Sequence, residues 1–382
     1  MKIHQCIIAG GGPSGLVLAL LLKRAGMEPL VLERRERPVK KACGGGITPR
    51  ALKLIKSLGL DIDCGRFWYV LEGNAPPRHI NRFTAKKPVM AVNQRAAFQK
   101  SLEELAEKNS IPIIRAQVQR AAYSGGVFTV ETEAGVFRSQ RLAGADGAGS
   151  RVRRSFGGTV PYSATAMMVD GVSCRRASGR VIFDGGAAPL GYGWIFPYDD
   201  ETCNLGVYTV GDLPEGGLKP YLARYLKDRL GLDLGGREVT GGSIPFGGYR
   251  MGRSAPVLLL GDAGGFADPM TGEGIYHALF TAKAASRAIL SGPPESARHR
   301  YEKGLRPFMA NVRFLAWFAP RAYAYPEPGG RLLSLKFLHR PITEGLIRGH
   351  NAATIAILFP LFAGLSLLSS SLVSVNYGRH LK

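Results

Sequence analysis

Six consecutive residues, Gly10-Gly11-Gly12-Pro13-Ser14-Gly15, satisfy the spacing G-x-G-x-x-G between an apolar run, Ile3 to Ala9, and a helical pattern, Leu16 to Ala25. In that context each glycine has a task. Gly10 permits a tight turn, Gly12 lets backbone amides approach a pyrophosphate at the helix N-terminus, and Gly15 lets the helix pack closely on the strand. Pro13 and Ser14 belong to the same phosphate-facing loop. A second apolar run, Pro29 to Leu32, ends at Glu33, placed to accept hydrogen bonds from a ribose hydroxyl pair. The chemistry is recognition of a dinucleotide. Arg34 and Arg35 suit either solvent or a 2′-phosphate, which keeps a phosphorylated dinucleotide nominally open.

Further segments carry chemistry downstream. Leu258 to Ala263 holds Gly261-Asp262 after a fully apolar strand, and an acid at the C-terminal end of a parallel strand lies in the ligand crevice. Asp268-Pro269-Met270-Thr271-Gly272-Glu273-Gly274-Ile275 opens a helix. Gly272 and Gly274 permit close approach there, and the free amides up to Ile275 suit a developing negative charge. Tyr192, Trp194 and Phe196 alternate, so the three rings project from one face of a strand. Spacing alone makes them core aromatics as readily as a ligand wall. Cys43 carries a thiol whose unperturbed pKa of about 8.5 leaves it mostly protonated and able to donate, although a buried structural cysteine reads the same way.

Leu142 to Arg153, containing Asp146-Gly147, resembles the Asp-Gly motif of the p-hydroxybenzoate-hydroxylase-like flavoproteins, and Gly261-Asp262 resembles their Gly-Asp motif. The resemblance implies FAD as the dinucleotide, Asp262 at the ribityl-side hydroxyls, and Arg95, within Val92 to Phe98, near the flavin. Within that superfamily, Pro38 to Ile47, with Cys43, Gly44 and Gly46, is similar to the Cys-Gly segment of geranylgeranyl reductases. Gly191 to Pro197 matches their Tyr-x-Trp-x-Phe-Pro signature. The resemblance covers roughly Met1 to Leu290. It implies hydride transfer from reduced FAD to carbon-carbon double bonds of an isoprenoid chain. Cys43, Tyr192 and Trp194 become the catalytic candidates, Tyr192, Trp194 and Phe196 the substrate wall, and Gly44, Gly46 and Val118 join the cofactor contacts.

Two rivals remain. A flavin-dependent monooxygenase or halogenase shares the fold; a halogenase needs a catalytic Lys before the sheet domain, where Lys86 and Lys87 stand, but Trp-x-Trp-x-Ile-Pro is absent. A non-catalytic prenyl-lipid carrier resembling the GDP-dissociation inhibitors is opposed by the intact Gly10, Gly12, Gly15, Glu33 and Asp262. No second nucleotide fingerprint is visible, so the electron donor is NAD(P)H bound transiently, or ferredoxin or another reduced carrier.

These residues require an α/β fold: a Rossmann-like FAD-binding domain interleaved with an antiparallel-sheet substrate domain of α+β character, then a C-terminal helical region. The expected divisions are 1–65, 94–163 and 249–291 for the first, 66–93 and 164–248 for the second, and 292–382 for the third. Helical patterns cover Arg50 to Leu58, Gln94 to Lys108, Leu218 to Leu230 and Ile275 to Leu290, while Gln117 to Arg141 reads as hairpins. With 382 residues, 45% of them hydrophobic, the chain can bury a sizeable core.

Fifty Lys and Arg against 29 Asp and Glu give a net charge of +21, a field suited to an anionic membrane surface or a diphosphate-bearing ligand. Neither a zinc-finger spacing nor an aromatic RNA-binding signature accompanies it, so nucleic acid is not expected. The 5 cysteines are scattered and odd in number, which suggests neither a disulfide framework nor a metal site and places the chain in a reducing compartment. Met1 to Gln5 leads straight into the first strand, so no removable signal is expected there. Ala352 to Val375 is apolar enough on paper for the roughly 20 residues that span a bilayer. Pro360, Gly364 and Ser369 to Ser371 weaken a span. The expectation is a cytoplasmic protein, peripheral to the membrane, with this tail either dipping into lipid or forming a buried helix pair.

Overall fold

A computed structural model describes residues 2–34, 41–75, 79–252 and 255–324. The apolar segment 352–375 and residues 38–40 of the Cys-Gly segment lie outside the described residues.

The first layer is a parallel five-stranded sheet in the order Leu258–Leu259, Leu142–Gly144, Cys6–Ala9, Pro29–Glu33, Ile113–Arg115. Cys6–Ala9 is buried on both faces, the mark of a parallel strand covered from two sides. Its alternate residues serve different layers. Cys6 and Ile8 pack into a helical core, whereas Ile7 and Ala9 pack with Phe128 and Val130 of a four-stranded sheet built from Ile3–His4 and the meander 118–139.

The helical core is formed by α1 (Pro13–Arg24), α2 (Pro49–Ser57), α3 (Arg95–Lys108) and, after a short α4 (Arg151–Ser155) and α5 (Lys219–Leu230), by α6 (Ile275–Leu290) and α7 (Ala297–Ala324). Helix α1 begins at Pro13, three residues ahead of its apolar pattern, because Pro at the first position presets the helical φ and needs no amide partner.

The second large unit is a seven-stranded sheet ordered Val239–Phe246, Tyr162–Ser173, Thr202–Thr209, Gly191–Pro197, Val181–Gly185, Val70–Ala75, His79–Thr84. Its pairs are antiparallel except one: Val181–Gly185 runs parallel to Val70–Ala75, an exception to the expected antiparallel sheet. That pairing joins strands more than a hundred residues apart, which no local turn signal could announce. One face packs under α5 through Ile195, Leu205 and Val207; the other carries Tyr192, Trp194, Phe196 and Tyr208. Helix α7 leans on that second face with Ala316, Ala319 and Tyr323. No helix among the described residues is long and apolar enough to cross a membrane.

Candidate active site

The strand ends of the parallel sheet and the aromatic face of the seven-stranded sheet enclose one cavity of about 410 Å³. Gly12, Pro13 and Ser14 line it at the start of α1, whose N-cap, Gly12, supplies no side-chain cap. First-turn amides are thus left for an anion. A Cβ on Gly12 would meet nothing within 4 Å, so the glycine keeps the space ligand-accessible. Gly15 works differently: a Cβ there would sit 1.9 Å from the Gly10 carbonyl oxygen, so it is the close-packing glycine and does not line the cavity. Gly10, at φ 106°, would place a Cβ 2.3 Å from the Ala145 oxygen.

Carboxylates surround this loop. Glu33 lines the cavity and accepts from the Gly11 amide at 2.6 Å. Asp146 accepts from the Arg151 and Val152 amides at 2.7 and 3.1 Å, capping α4, while its buried Oδ1, also at the cavity, has no hydrogen-bond partner among the described residues. Asp262 pairs with Lys41 at 2.8 Å. Burial alone would raise the Asp262 carboxyl, but Lys41, Arg95 and His277 hold it below the usual carboxylate range. Gly261, at φ 51°, shapes the turn behind it and donates to Thr281 Oγ1 at 3.1 Å instead of lining the cavity. These features fit an FAD: open helix amides for its pyrophosphate, and acceptors for its hydroxyls.

Arg34, Gly44, Gly46, Gly272, Gly274 and Ile275 also line the cavity. Arg95, which as an isolated Arg would read as a surface charge, is buried, lines the cavity, and donates to Gln99 at 3.0 Å. Gln99 in turn donates to the Gly11 carbonyl at 2.8 Å, tying α3 to the glycine loop. Val118 corrects the expectation. Its side chain is buried with Phe128 and Val130 in the core under the meander and does not line the cavity. A register shift between Val118 and Arg120 breaks the two-residue alternation there, so Val118 is buried on the same side as Ala121, three residues on.

On the opposite wall, cross-strand register sets a row Met168, Gly206, Trp194, Phe183. Gly206 is required: a Cβ there would lie 2.1 Å from the Trp194 ring, whose indole occupies that space. Tyr192, Trp194 and Phe196 follow one another at ring separations of 6.0 and 6.1 Å, and Phe183 bridges Tyr192 and Phe196 at 5.5 and 5.2 Å. The polar atoms of this wall are engaged within the protein. Trp194 Nε1 donates to Asn204 Oδ1 at 2.8 Å. Tyr192 donates to the Thr271 carbonyl at 2.6 Å, Tyr208 to that of Pro269 at 2.7 Å, and Tyr323 to that of Met270. Burial pushes the Tyr192 hydroxyl well above its ordinary pKa. The hydroxyl of Tyr192, one of the catalytic candidates, is therefore committed to the 268–274 loop.

Cys43 is half-buried at the cavity, its sulfur accepting from the Gly45 amide at 3.4 Å. Beside it, Tyr198 donates to Asp170 at 2.6 Å, and Asn204 donates to the Cys43 carbonyl at 3.5 Å. Lys86 and Lys87 are exposed and stand away from the cavity lining.

Sequence reasoning missed Arg50, Glu273, Lys41, Gln99 and Asn204. Arg50 left one signal: a cation in the first turn of a helix opposes the macrodipole and calls for acidic partners elsewhere. It finds them in Glu273, at 2.7 Å from Nε, and Asp268, at 3.2 Å. Burial works against the Arg50 charge, but Glu273 and Asp268 outweigh it and raise its pKa further.

Comparison with known proteins supports FAD as the cofactor. The model of the FAD binding domain family matches residues 4–178. The chain is 26% identical over 338 residues to digeranylgeranylglycerophospholipid reductase 1 of Methanococcoides burtonii, covering 81% of each protein. Among solved structures it is similar to a geranylgeranyl bacteriochlorophyll reductase-like protein from Thermoplasma acidophilum, with a TM-score of 0.79 at 19% identity over 98% of this chain and 100% of that one. It also resembles the flavin-dependent brominase Bmp2, with a TM-score of 0.72 at 18% identity over 97% and 99%. At such identities these structures establish the fold.

Proposed function

We propose that this chain, an FAD-dependent oxidoreductase by its FAD binding domain and fold, reduces carbon-carbon double bonds of an isoprenoid chain of geranylgeranyl type. The observation that carries the reading is the wall of Phe183, Tyr192, Trp194, Phe196 and Tyr208, whose polar atoms all point into the protein. Such a surface offers a ligand ring carbons and no donor or acceptor. It suits a hydrocarbon chain better than a hydroxylated aromatic, whose polar groups would be buried unpaired at a cost of about 1–3 kcal/mol each. The reductase named among the relatives adds support. The brominase likeness lends less to a halogenase reading, because Lys86 and Lys87 are exposed away from the cavity.

Bound FAD, once reduced by NAD(P)H or a carrier such as ferredoxin, supplies a hydride. The chain's residues do the rest. The wall excludes water and holds the alkene; the Cys43 thiol is the candidate proton donor, so that one hydride and one proton saturate each double bond. Tyr192 and Trp194 bind and orient. The substrate reaches the site from a lipid surface to which the basic protein adheres peripherally.

The decisive experiment is anaerobic incubation of the reduced holoprotein with a geranylgeranyl lipid and mass spectrometry of the product. A series rising by about two daltons per double bond is expected. Oxygen consumption with an oxygenated or halogenated product would overturn the reading. Unchanged turnover in Cys43→Ser would remove Cys43 from the mechanism.

A further inference from the structure

The loop 268–274 is held twice over. Three tyrosine hydroxyls hold its backbone, Tyr208 at Pro269, Tyr323 at Met270 and Tyr192 at Thr271, and Asp268 accepts from the Met270 and Thr271 amides at 2.8 and 3.1 Å. Against this same loop Arg50 brings a guanidinium whose side chain is only 10% exposed. It meets Asp268 and Glu273, at 0% and 5%, and stacks over Tyr276 at 4.5 Å. Thr48, the cap of α2, donates its hydroxyl to Glu273 as well. Arg50 and Glu273 both line the cavity, next to Gly272 and Gly274 at the uncapped start of α6.

As a mechanical staple the Arg50 ion pair is redundant, because the loop keeps its tyrosine and Asp268 bonds without it. What the tyrosine and Asp268 bonds do not supply is the positive charge of Arg50. One buried cation faces two buried carboxylates, and charges in a low-dielectric cavity act on a neighbouring ligand more strongly than surface charges do. Gly272, Glu273 and Gly274 line the same cavity as Gly12 and Asp262, so a bound FAD would lie within reach of this cluster's charges.

We propose that Arg50 is a positioning residue whose charge, set against Glu273 and Asp268, fixes the redox potential of the bound flavin. The reduced ring carries more negative charge than the oxidised one, so a neighbouring cation favours reduction and an unpaired carboxylate opposes it. The proposal needs only bound FAD and stands whether or not the substrate is an isoprenoid.

The test is spectroelectrochemical titration of FAD-loaded protein. Arg50→Gln should lower the midpoint potential, Glu273→Gln should raise it, and the double variant, which restores the original net charge of the cluster, should return towards the wild-type value. Arg50→Lys should stay near wild type. A purely structural role would move both single variants the same way and add in the double variant. That pattern, or no shift in either single variant, overturns the proposal. If Arg50→Gln does not yield folded holoprotein, Glu273→Gln decides alone: an upward shift supports the assignment, and no shift or a downward one sinks it.

Discussion

One side of the cavity is lined by glycines and polar or charged residues, Gly12, Ser14, Glu33, Asp146 and Asp262 with Arg34, Lys41 and Arg95; the other is lined by the aromatic residues Phe183, Tyr192, Trp194 and Phe196. The two regions tolerate change differently. The cofactor side depends on close backbone approach, where an added methyl group meets a carbonyl oxygen that cannot move. The aromatic side depends on buried area, which is lost in proportion to the atoms removed. Cofactor binding should therefore fail abruptly, while the wall should fail by degrees and according to substrate.

The sharpest break is expected at Gly15→Val, whose Cβ would overlap the Gly10 oxygen at 1.9 Å. Overpacking of about 1–3 kcal/mol strains the loop that FAD is expected to meet, so bound flavin should fall sharply, read as flavin absorbance per protein and by fluorescence titration. If this variant binds FAD normally, the close packing of Gly15 on Gly10 is not what shapes the FAD site.

Next is Trp194→Ala. Removing a buried Trp costs about 3–5 kcal/mol of stability and should lower the melting temperature, yet leave the FAD dissociation constant within about threefold. An equal loss of FAD would mean that the two sides are a single unit.

Asp262→Asn keeps the shape of the cofactor side and removes its charge. A charged hydrogen bond is worth about 1.5–3 kcal/mol, so FAD affinity should drop roughly 10- to 100-fold. Tyr192→Phe, by contrast, removes one hydroxyl and keeps the wall. A cost of about 1 kcal/mol in stability is expected, with alkene turnover within a few-fold of wild type; a collapse in turnover would restore the catalytic role that sequence assigned to this tyrosine.

The smallest effect concerns pH. His277 is buried, and burial followed by Arg50 lowers its pKa despite Glu273 and Asp268. The folded form thus resists protonation that the unfolded chain accepts near pH 6.5. Stability from this group is complete above that pH and declines as pH falls below it, by at most about 1.4 kcal/mol per unit. Urea midpoints between pH 7.5 and 5.5 should show the slope, and His277→Asn should flatten it.

How much of this was legible in the sequence follows the same division. Gly10, Gly12, Gly15, Glu33 and Asp262 could be read because a turn, an uncapped helix start and a strand end are local events, specified within a few residues. Chemistry that depends on local backbone leaves its mark in spacing. The alternation of Tyr192, Trp194 and Phe196 was equally visible, but whether their face met a ligand or another layer was not, since either outcome uses the same period. The assembly of the sheet decided it, through Gly206 beneath Trp194 and the pairing of 181–185 with 70–75.

Val118 shows the limit from the other direction. It was expected among the cofactor contacts, yet packing turned its side chain into the core. Arg50 and Glu273 lie 223 residues apart, and each is unremarkable in its own segment. By itself the sequence determined a glycine-rich strand-to-helix turn, the acids beside it and the class of fold. Only the tertiary structure decided which aromatics face the cavity, that Tyr192 spends its hydroxyl on a loop, and that Arg50 meets two carboxylates there. These contacts join distant segments, and their free energy exists only once the chain has closed around them.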